Sequence, residues 1–285
     1  TARFLPPVFN YKHRIVWSRN ETVNNISQIF HPTVKAVFKK FNVKKGLEIH
    51  YQGDLQKNSG LGTSSSFCVG LINAINSLND NKFSKKKLAS AALYVEHKIM
   101  KENCGSQDQI WASYGGFNFI KFQKNGKFIV NRLKIPNSFK NALNNNLVLI
   151  YTGIHKYSDI VERDKLSKLN KNLIYLDQIK SITENFRNMI NNNDSVDLIG
   201  EILNEYWHLK KMLSSKVTNY KIDEIYNIAL ENGATGGKII GSGGGGFLLV
   251  YCKKKFQKKL KNKLNKLPFI NFKFTNVGSQ TIFKS

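Results

Sequence analysis

The stretch Asn58-Ser59-Gly60-Leu61-Gly62-Thr63-Ser64-Ser65-Ser66 joins an extended segment to a helix. An alternating apolar run, Leu47–Tyr51, precedes it, and a helical pattern, Phe67–Leu78, follows it. Glycines let a backbone approach an anion closely, and the unpaired N–H groups and dipole at a helix start favour negative charge. The hydroxyl groups can donate to phosphate or ligate Mg²⁺. The stretch therefore predicts a phosphate-binding loop.

A plainer interpretation of this stretch stays open. Thr63 or Ser64 would serve as an ordinary helix N-cap after a flexible loop. The spacing also differs from the nucleotide-binding pattern G-x-x-x-x-G-K-[ST], because no lysine follows Gly62. The stretch alone does not decide between a phosphate loop and a cap.

Length and composition predict a folded chain without a membrane segment. With 285 residues, of which 41% are hydrophobic, the chain can form one large domain or two lobes. The longest apolar runs, such as Phe247–Cys252, are too short to span a bilayer, and the first residues do not resemble a signal peptide. Cys68, Cys104 and Cys252 are widely spaced, which predicts reduced thiols and a cytoplasmic location.

The net charge of +25 makes nucleic acid a candidate partner, because strongly basic proteins attract its phosphates. Lysines recur along the whole chain, with clusters at 85–87, 210–211 and 253–266, and no RRM, KH or zinc-finger pattern accompanies them. We therefore expect a solvated basic surface and no nucleic-acid partner.

Hydrophobic periodicity predicts a mixed chain. Strands are predicted at 12–18, 46–52, 117–122, 127–133, 147–151, 247–252 and 271–275. Helices are predicted at 32–41, 64–78, 85–101, 160–192, 196–213, 221–231 and 253–266. Because strands occur in both halves, the fold class is α+β, with lobes at 1–152 and 153–285.

Two carboxylates, Glu96 and Asp108, are candidates for chemistry. Phosphoryl transfer needs a carboxylate that holds Mg²⁺ and a group that orients or accepts the proton of the attacking hydroxyl. The spacing alone favours a helix-surface Glu96, paired with Lys98 or Lys101. For Asp108 a capping role in a turn is as good an interpretation as catalysis.

A second glycine cluster, residues 241–246, lies directly before the apolar strand at 247–252. Consecutive glycines cost chain entropy, which predicts that the backbone here approaches something closely. The alternative is a flexible hairpin loop.

Taken in order, these stretches resemble the GHMP kinases of sugars and isoprenoids. The family loop P-x-x-x-G-L-G-S-S-A aligns with Gln56–Ser65, where Gln56, Thr63 and Ser65 replace the proline, the first serine and the alanine. The family carries a glutamate on a following helix and an aspartate about a dozen residues later. It also has a glycine-rich motif before a strand, here Gly236–Phe247.

The phrases S-G-L-G-T-S-S-S-F-C-V-G-L-I-N-A and G-S-Q-D-Q resemble the heptose 7-phosphate kinase branch and its fucokinase-like relatives. The resemblance implies a two-lobed α+β fold with an active-site cleft between the lobes. It implies that MgATP phosphorylates the anomeric hydroxyl of a sugar phosphate, with D-glycero-D-manno-heptose 7-phosphate as the expected substrate. An L-fucose-type or other small-molecule kinase, or a non-catalytic nucleotide-binding homologue, is the alternative.

The resemblance also assigns roles to individual residues. Asp108 would be the base or hydroxyl-orienting group, and Ser64 and Glu96 would hold Mg²⁺. The residues expected to cradle the ATP phosphates are Gly60, Leu61, Gly62, Thr63, Ser64 and Ser65. Gly243, Gly244 and Gly245 would border the substrate cleft and brace the phosphate loop. The implied partners are ATP and a sugar or sugar-phosphate substrate, with no nucleic acid and no membrane, and a homodimer stays open.

One family motif, P-x-R-I-S-x-x-G-G-G-T-D near the N-terminus, has no match in this sequence. We expect either that the sequence begins some tens of residues into the family pattern or that part of the sugar site is missing. The N-terminal substrate-binding residues of the family are therefore not assigned.

Overall fold

The computed structural model describes residues 1–55, 59–155, 158–192 and 194–284. The chain forms two compact units. The first unit comprises Thr1–Lys57, Gly62–Asn118 and Thr275–Ser285, and the second comprises Asn58–Leu61 and Phe119–Phe274. The lobe boundary expected at residue 152 falls inside the second unit, and the division into lobes at that point stays a prediction.

A four-stranded sheet forms one side of the first unit. Its strands are β1 (Ala2–Phe4), β2 (His13–Val16), β3 (Asn20–Val23) and β4 (Leu47–His50), in the order β1-β4-β2-β3. β2 and β4 run parallel, and the other neighbours are antiparallel. Ile15 and Ile49 face each other in register and are both buried, so one face of the sheet lies on the core.

Helices cover the buried face of this sheet. They are α1 (Pro32–Lys40), α2 (Thr63–Leu78), α3 (Lys85–Tyr94), a π-helical turn (Val95–Ile99) and α4 (Gln107–Tyr114). Their apolar stripes and the sheet share one core. The predicted helices at 32–41 and 64–78 are confirmed, whereas the helix predicted at 85–101 changes to π geometry after Tyr94.

The second unit contains a two-stranded sheet of β5 (Asn118–Phe122), whose first residue is the last of the first unit's middle segment, and β6 (Phe128–Arg132). The elements that follow are α5 (Asn137–Asn146), β7 (Leu147–Tyr151), α6 (Ser158–Ser167), α7 (Leu169–Asn192), α8 (Leu198–Met212), α9 (Tyr220–Glu231), β8 (Ala234–Ile239), β9 (Phe247–Cys252), α10 (Lys254–Lys263) and β10 (Phe269–Ile270). An antiparallel sheet in the order β10-β7-β9-β8 packs with these helices around a second core.

Several sequence predictions for the second unit are wrong. The predicted strand at 271–275 is irregular, and the strand that pairs with β7 is instead the short β10, just before it. The single helix predicted at 160–192 is two helices, α6 and α7, and α5 was not predicted. β8 was also missed, since its glycines carry no hydrophobic pattern. A Cβ on Gly236 would lie 1.9 Å from the carbonyl oxygen of Gly200, so this strand needs glycine where α8 crosses it.

The C-terminal segment of the first unit returns to α4. The N–H of Ser279 donates to the carbonyl of Ala112 at 2.7 Å. A Cβ on Gly115, whose φ is +63°, would lie 2.0 Å from the carbonyl carbon of Val277. Among the helices that the structure describes, none is both long and apolar enough to cross a membrane.

Candidate active site

The start of α2 is an open helix N-terminus. Gly62 is its N-cap residue, lies in the left-handed region at φ +68°, and is not assisted by a side-chain cap. The interpretation of Thr63 or Ser64 as an ordinary N-cap is therefore wrong. The first amides of α2 have no partner within the helix, which leaves them available to an anion. Residues 56–58, at the start of the predicted loop, lie outside the described residues.

Asp108 lies directly against this helix start. It is half-buried in the first turn of α4, and the N-cap of that helix is Ser106, so Asp108 is not the capping residue. A Cβ built on Gly62 would lie 3.0 Å from both Cγ and Oδ2 of Asp108. The Asp108 carboxylate and the backbone at the start of α2 are thus in contact within the first unit.

Glu96 is buried in the π-helical turn and is only 1% exposed. Its Oε2 accepts hydrogen bonds from Ser65 Oγ at 2.9 Å, from Gln109 Nε2, and from the thiol of Cys104 at 3.6 Å. The interpretation of Glu96 as a surface residue paired with lysine is wrong. π-helical turns are rare in proteins, and those that do occur often lie at functional sites.

Two oxygens beside this network have no hydrogen-bond partner among the described residues. They are Oε1 of Glu96 and Oε1 of Gln109, both buried. A buried carboxylate oxygen without a donor is costly, and a cation would offset that cost. The residues present therefore fit a divalent cation at Glu96. Ser65, rather than the exposed Ser64, supplies the hydroxyl group that contacts Glu96.

The thiol of Cys104 is not an activated nucleophile. Burial, followed by the charge of Glu96, raises the pKa of Cys104 to about 12, so the thiol is protonated at neutral pH. No disulfide forms, since all three cysteines are free.

The second glycine cluster packs against Ser59, in the first glycine-rich stretch, inside the second unit. A Cβ on Gly246, at φ +82°, would lie 2.3 Å from the carbonyl oxygen of Ser59. The Gly246 carbonyl accepts from the N–H and the hydroxyl of Thr152, at 2.9 and 2.8 Å. Gly246 follows directly after the predicted bracing residues 243–245 and makes this contact, while the brace predicted for 243–245 stays a prediction. Gly243 and Gly245 pack on Val217 and Ile154.

Lys210, expected on the basic surface, is instead 3% exposed. Its ammonium donates to the carbonyl of Ile239 at 3.0 Å and to that of Gly241. It therefore holds the chain where β8 ends and the glycine cluster begins.

Sequence reasoning missed the contacts that Gln109 and Cys104 make with Glu96. Both lie in the phrase N-C-G-S-Q-D-Q, in which Asp108 is the only residue that the sequence marks as a candidate for chemistry. Their proximity to Asp108 is the one signal that the sequence offers for them.

Two family models match the chain. The GHMP kinase N-terminal domain matches residues 27–116, and the GHMP kinase C-terminal domain matches residues 183–268. Together they cover more than half of the sequence. The chain belongs to the GHMP kinase family.

Individual relatives agree with this assignment. The chain is 32% identical to the D-glycero-alpha-D-manno-heptose 7-phosphate kinase of Campylobacter jejuni over 226 residues, which are 78% of this chain and 66% of that protein. It is 27% identical to the bifunctional fucokinase/GDP-fucose pyrophosphorylase of Arabidopsis thaliana, over 73% of this chain and 20% of that protein. The chain thus spans slightly less than two thirds of the first relative and a fifth of the second.

Solved structures show the same fold. The crystal structure of a D-glycero-D-manno-heptose 1-phosphate kinase from B. thetaiotaomicron superposes with a TM-score of 0.78. It is 22% identical, and the match covers 100% of this chain and 87% of that one. The GHMP kinase fold, an α+β arrangement of mixed sheets and helices, is therefore confirmed for this chain.

Proposed function

We propose that the protein carrying this chain is an ATP-dependent kinase that transfers the γ-phosphoryl group to the anomeric hydroxyl of a sugar phosphate. The observation that carries the proposal is the contact between the Asp108 carboxylate and Gly62, at the open start of α2. The relative of 32% identity favours D-glycero-D-manno-heptose 7-phosphate as the substrate.

The open helix start would bind the phosphates of ATP. The amides of the first turn and the hydroxyl groups of Thr63 and Ser64 are hydrogen-bond donors, and the helix dipole adds a positive partial charge. Gly62, at φ +68°, lets the backbone turn into the helix without a Cβ between the phosphate and Asp108. Gly60 and Leu61 would extend the same cradle.

Asp108 would act on the acceptor hydroxyl. Its carboxylate accepts a hydrogen bond from the sugar hydroxyl, which orients the oxygen toward the phosphorus atom, and it can take the proton as the bond to phosphorus forms. Contact with Gly62 keeps this carboxylate within a side chain's reach of the phosphate cradle. Positioning of this kind supplies most of the catalysis in phosphoryl transfer.

Glu96 would hold Mg²⁺ through Oε1, while Ser65 and Gln109 fix the carboxylate through Oε2. Bound Mg²⁺ neutralises charge on the phosphates of ATP. Ser64 stays a predicted second ligand. The assignment of Gly243, Gly244 and Gly245 to the border of the substrate cleft also stays a prediction, as do a cytoplasmic location and a homodimer.

The decisive experiment compares Asp108→Asn with Asp159→Asn in the full-length protein. Asp159 is an exposed carboxylate on α6, paired with Arg163 at 2.7 Å, and serves as a matched control. ADP release with ATP, Mg²⁺ and heptose 7-phosphate should fall roughly 10²–10⁴-fold in Asp108→Asn and stay unchanged in the control. Retention of full turnover by Asp108→Asn would remove Asp108 from the mechanism.

Substrate class is tested separately by comparing kcat/KM for heptose 7-phosphate, L-fucose and mevalonate. We expect the heptose phosphate to be preferred. Faster turnover of L-fucose or mevalonate would overturn the substrate assignment while leaving the kinase activity established. ATP binding without turnover of any acceptor would instead support a nucleotide-binding homologue.

A further inference from the structure

Three potential metal ligands converge next to the π-helical turn. They are a carboxylate oxygen of Glu96, a carboxylate oxygen of Glu102 and the sulfur of Cys104, which all lie within 4.8 Å of one another. The chain returns on itself here, because Lys101 adopts a left-handed φ of +55° and the N–H of Glu102 donates to the Glu96 carbonyl at 3.0 Å. This turn brings the exposed Glu102 and the half-buried Cys104 to the buried Glu96.

The side chain of Gln109 independently indicates a cation at this place. It is fully buried, and its amide nitrogen contacts both Glu96 Oε2 and, at 3.7 Å, Cys104 Sγ. The carbonyl oxygen of the same amide has no hydrogen-bond partner among the described residues. An amide oxygen is a metal ligand, so rotation of this group by 180° would direct a fourth ligand toward Glu96 and Cys104.

We propose that Glu96, Glu102 and Cys104 form a site for a thiophilic divalent cation such as Zn²⁺, Co²⁺ or Cd²⁺. Oxygen ligands alone suit Mg²⁺, whereas a cysteine sulfur selects softer metals. The site shares Glu96 with the Mg²⁺ position suggested above. The thiophilic site follows from these side chains alone and does not rest on the proposed kinase activity.

Binding would replace the S–H bond of Cys104 by a sulfur–metal bond and release one proton to water. Zn–S and Zn–O bonds of about 2.3 and 2.1 Å place tetrahedral ligands about 3.5 Å apart. The present spread of up to 4.8 Å therefore closes by about an ångström when the metal binds. Glu102 is exposed and Cys104 lies in a loop, so both side chains have room for this movement.

The test is a titration of the full-length protein with Co²⁺, in the absence of nucleotide. Ultraviolet absorption from thiolate-to-cobalt charge transfer reports a Co–S bond directly. We expect one equivalent of this band in the wild type and in Cys252→Ala, and none in Cys104→Ala. Cys252 is a buried free thiol in the second unit and serves as the matched control. A band that persists in Cys104→Ala, or that is absent from the wild type, would refute the site.

A second measurement covers the case in which Cys104→Ala does not fold. Cd²⁺ should add an ultraviolet thiolate-to-cadmium charge-transfer band to the wild-type protein, and Cys104→Ser, which keeps the size of the side chain, should remove it. Glu102→Gln should weaken Co²⁺ binding by roughly tenfold or more and keep the charge-transfer band. A cadmium band that persists in Cys104→Ser would count against the site even if the enzyme is an active Mg²⁺-dependent kinase.

Discussion

The carboxylate of Asp108 rests against the α-carbon of Gly62, so closely that a methyl group on that carbon would lie 3.0 Å from Oδ2. The two residues are 46 positions apart in the sequence and belong to the first turns of α4 and α2. Close packing of two helix starts therefore defines the site, and this packing depends on glycine at position 62 for both space and backbone conformation.

Gly62→Ala should lower kcat by about 100-fold, because a displaced Asp108 no longer aligns the acceptor and misplacement by an ångström has effects of this size. The left-handed φ of +68° adds strain of about 1–2 kcal/mol for alanine. Gly70→Ala is the matched control, since Gly70 lies in the same helix with nothing within 4 Å of its Cβ position. Equal activity of the two variants would show that the contact is dispensable.

Ser65→Ala should destabilise the protein by about 1–3 kcal/mol, because Glu96 is buried and would lose the hydroxyl donor of Ser65. Ser66→Ala, an exposed position one residue later, should change stability by less than about 0.5 kcal/mol. Urea unfolding midpoints measure both. A Ser65→Ala variant as stable as Ser66→Ala would mean that Glu96 does not depend on this hydrogen bond.

The sequence predicted α2 well, because a long apolar stripe is a local signal. The start of α2 lies within one residue of its predicted position. The burial of Glu96 was not predictable from the same kind of signal. Glu96 borders the apolar stripe of α3, and only the π-helical turn and the returning loop decide that it faces the core.

Contacts between distant segments account for the other missed features. β8 has no apolar alternation, since Gly236 makes room for α8 where the helix crosses the strand and Gly237 packs on Leu249 and Val250 of β9. Lys210 is adjacent to Lys211 in a sequence that is rich in lysine, and only the fold reveals its carbonyl partners. Gln109 lies in a helix of eight residues, which is too short for periodicity to identify a buried face.

Stability should fall as the pH drops from 6.5 toward 4, because His13 is buried on β2 and its Nδ1 accepts the N–H of Leu47 at 3.3 Å. Burial, aided by the charge of Lys12, lowers the pKa of His13 from 6.5 to about 4. The unfolded chain therefore binds a proton that the folded state excludes in this window. The free energy of unfolding therefore falls by up to about 1.4 kcal/mol for each pH unit in this window.

Chemical unfolding at several pH values measures this slope. His13→Gln should flatten it, and His155→Gln should not, since His155 is exposed. Glu48 affects stability at lower pH. Hydrogen bonds from His50 and Arg3 lower its pKa from 4.5 in the folded state, so its contribution to the stability of the fold is lost as the pH falls below 4.5. A slope between pH 6.5 and 4.5 that is unchanged in His13→Gln would assign the effect to another group.

Gly246→Ala should raise the KM for ATP, because the new methyl group would lie 2.3 Å from the Ser59 carbonyl oxygen and displace the residue that precedes Gly60. Overpacking of this kind also costs about 1–3 kcal/mol of stability. Gly126→Ala separates the clash from backbone strain, since Gly126 has a similar φ of +77° and nothing within 4 Å of its Cβ position. Nucleotide titration and thermal unfolding of both variants give the comparison. If Gly126→Ala and Gly246→Ala bind ATP equally well, the second glycine cluster does not support the phosphate loop, and its glycines serve the folding of the second unit alone.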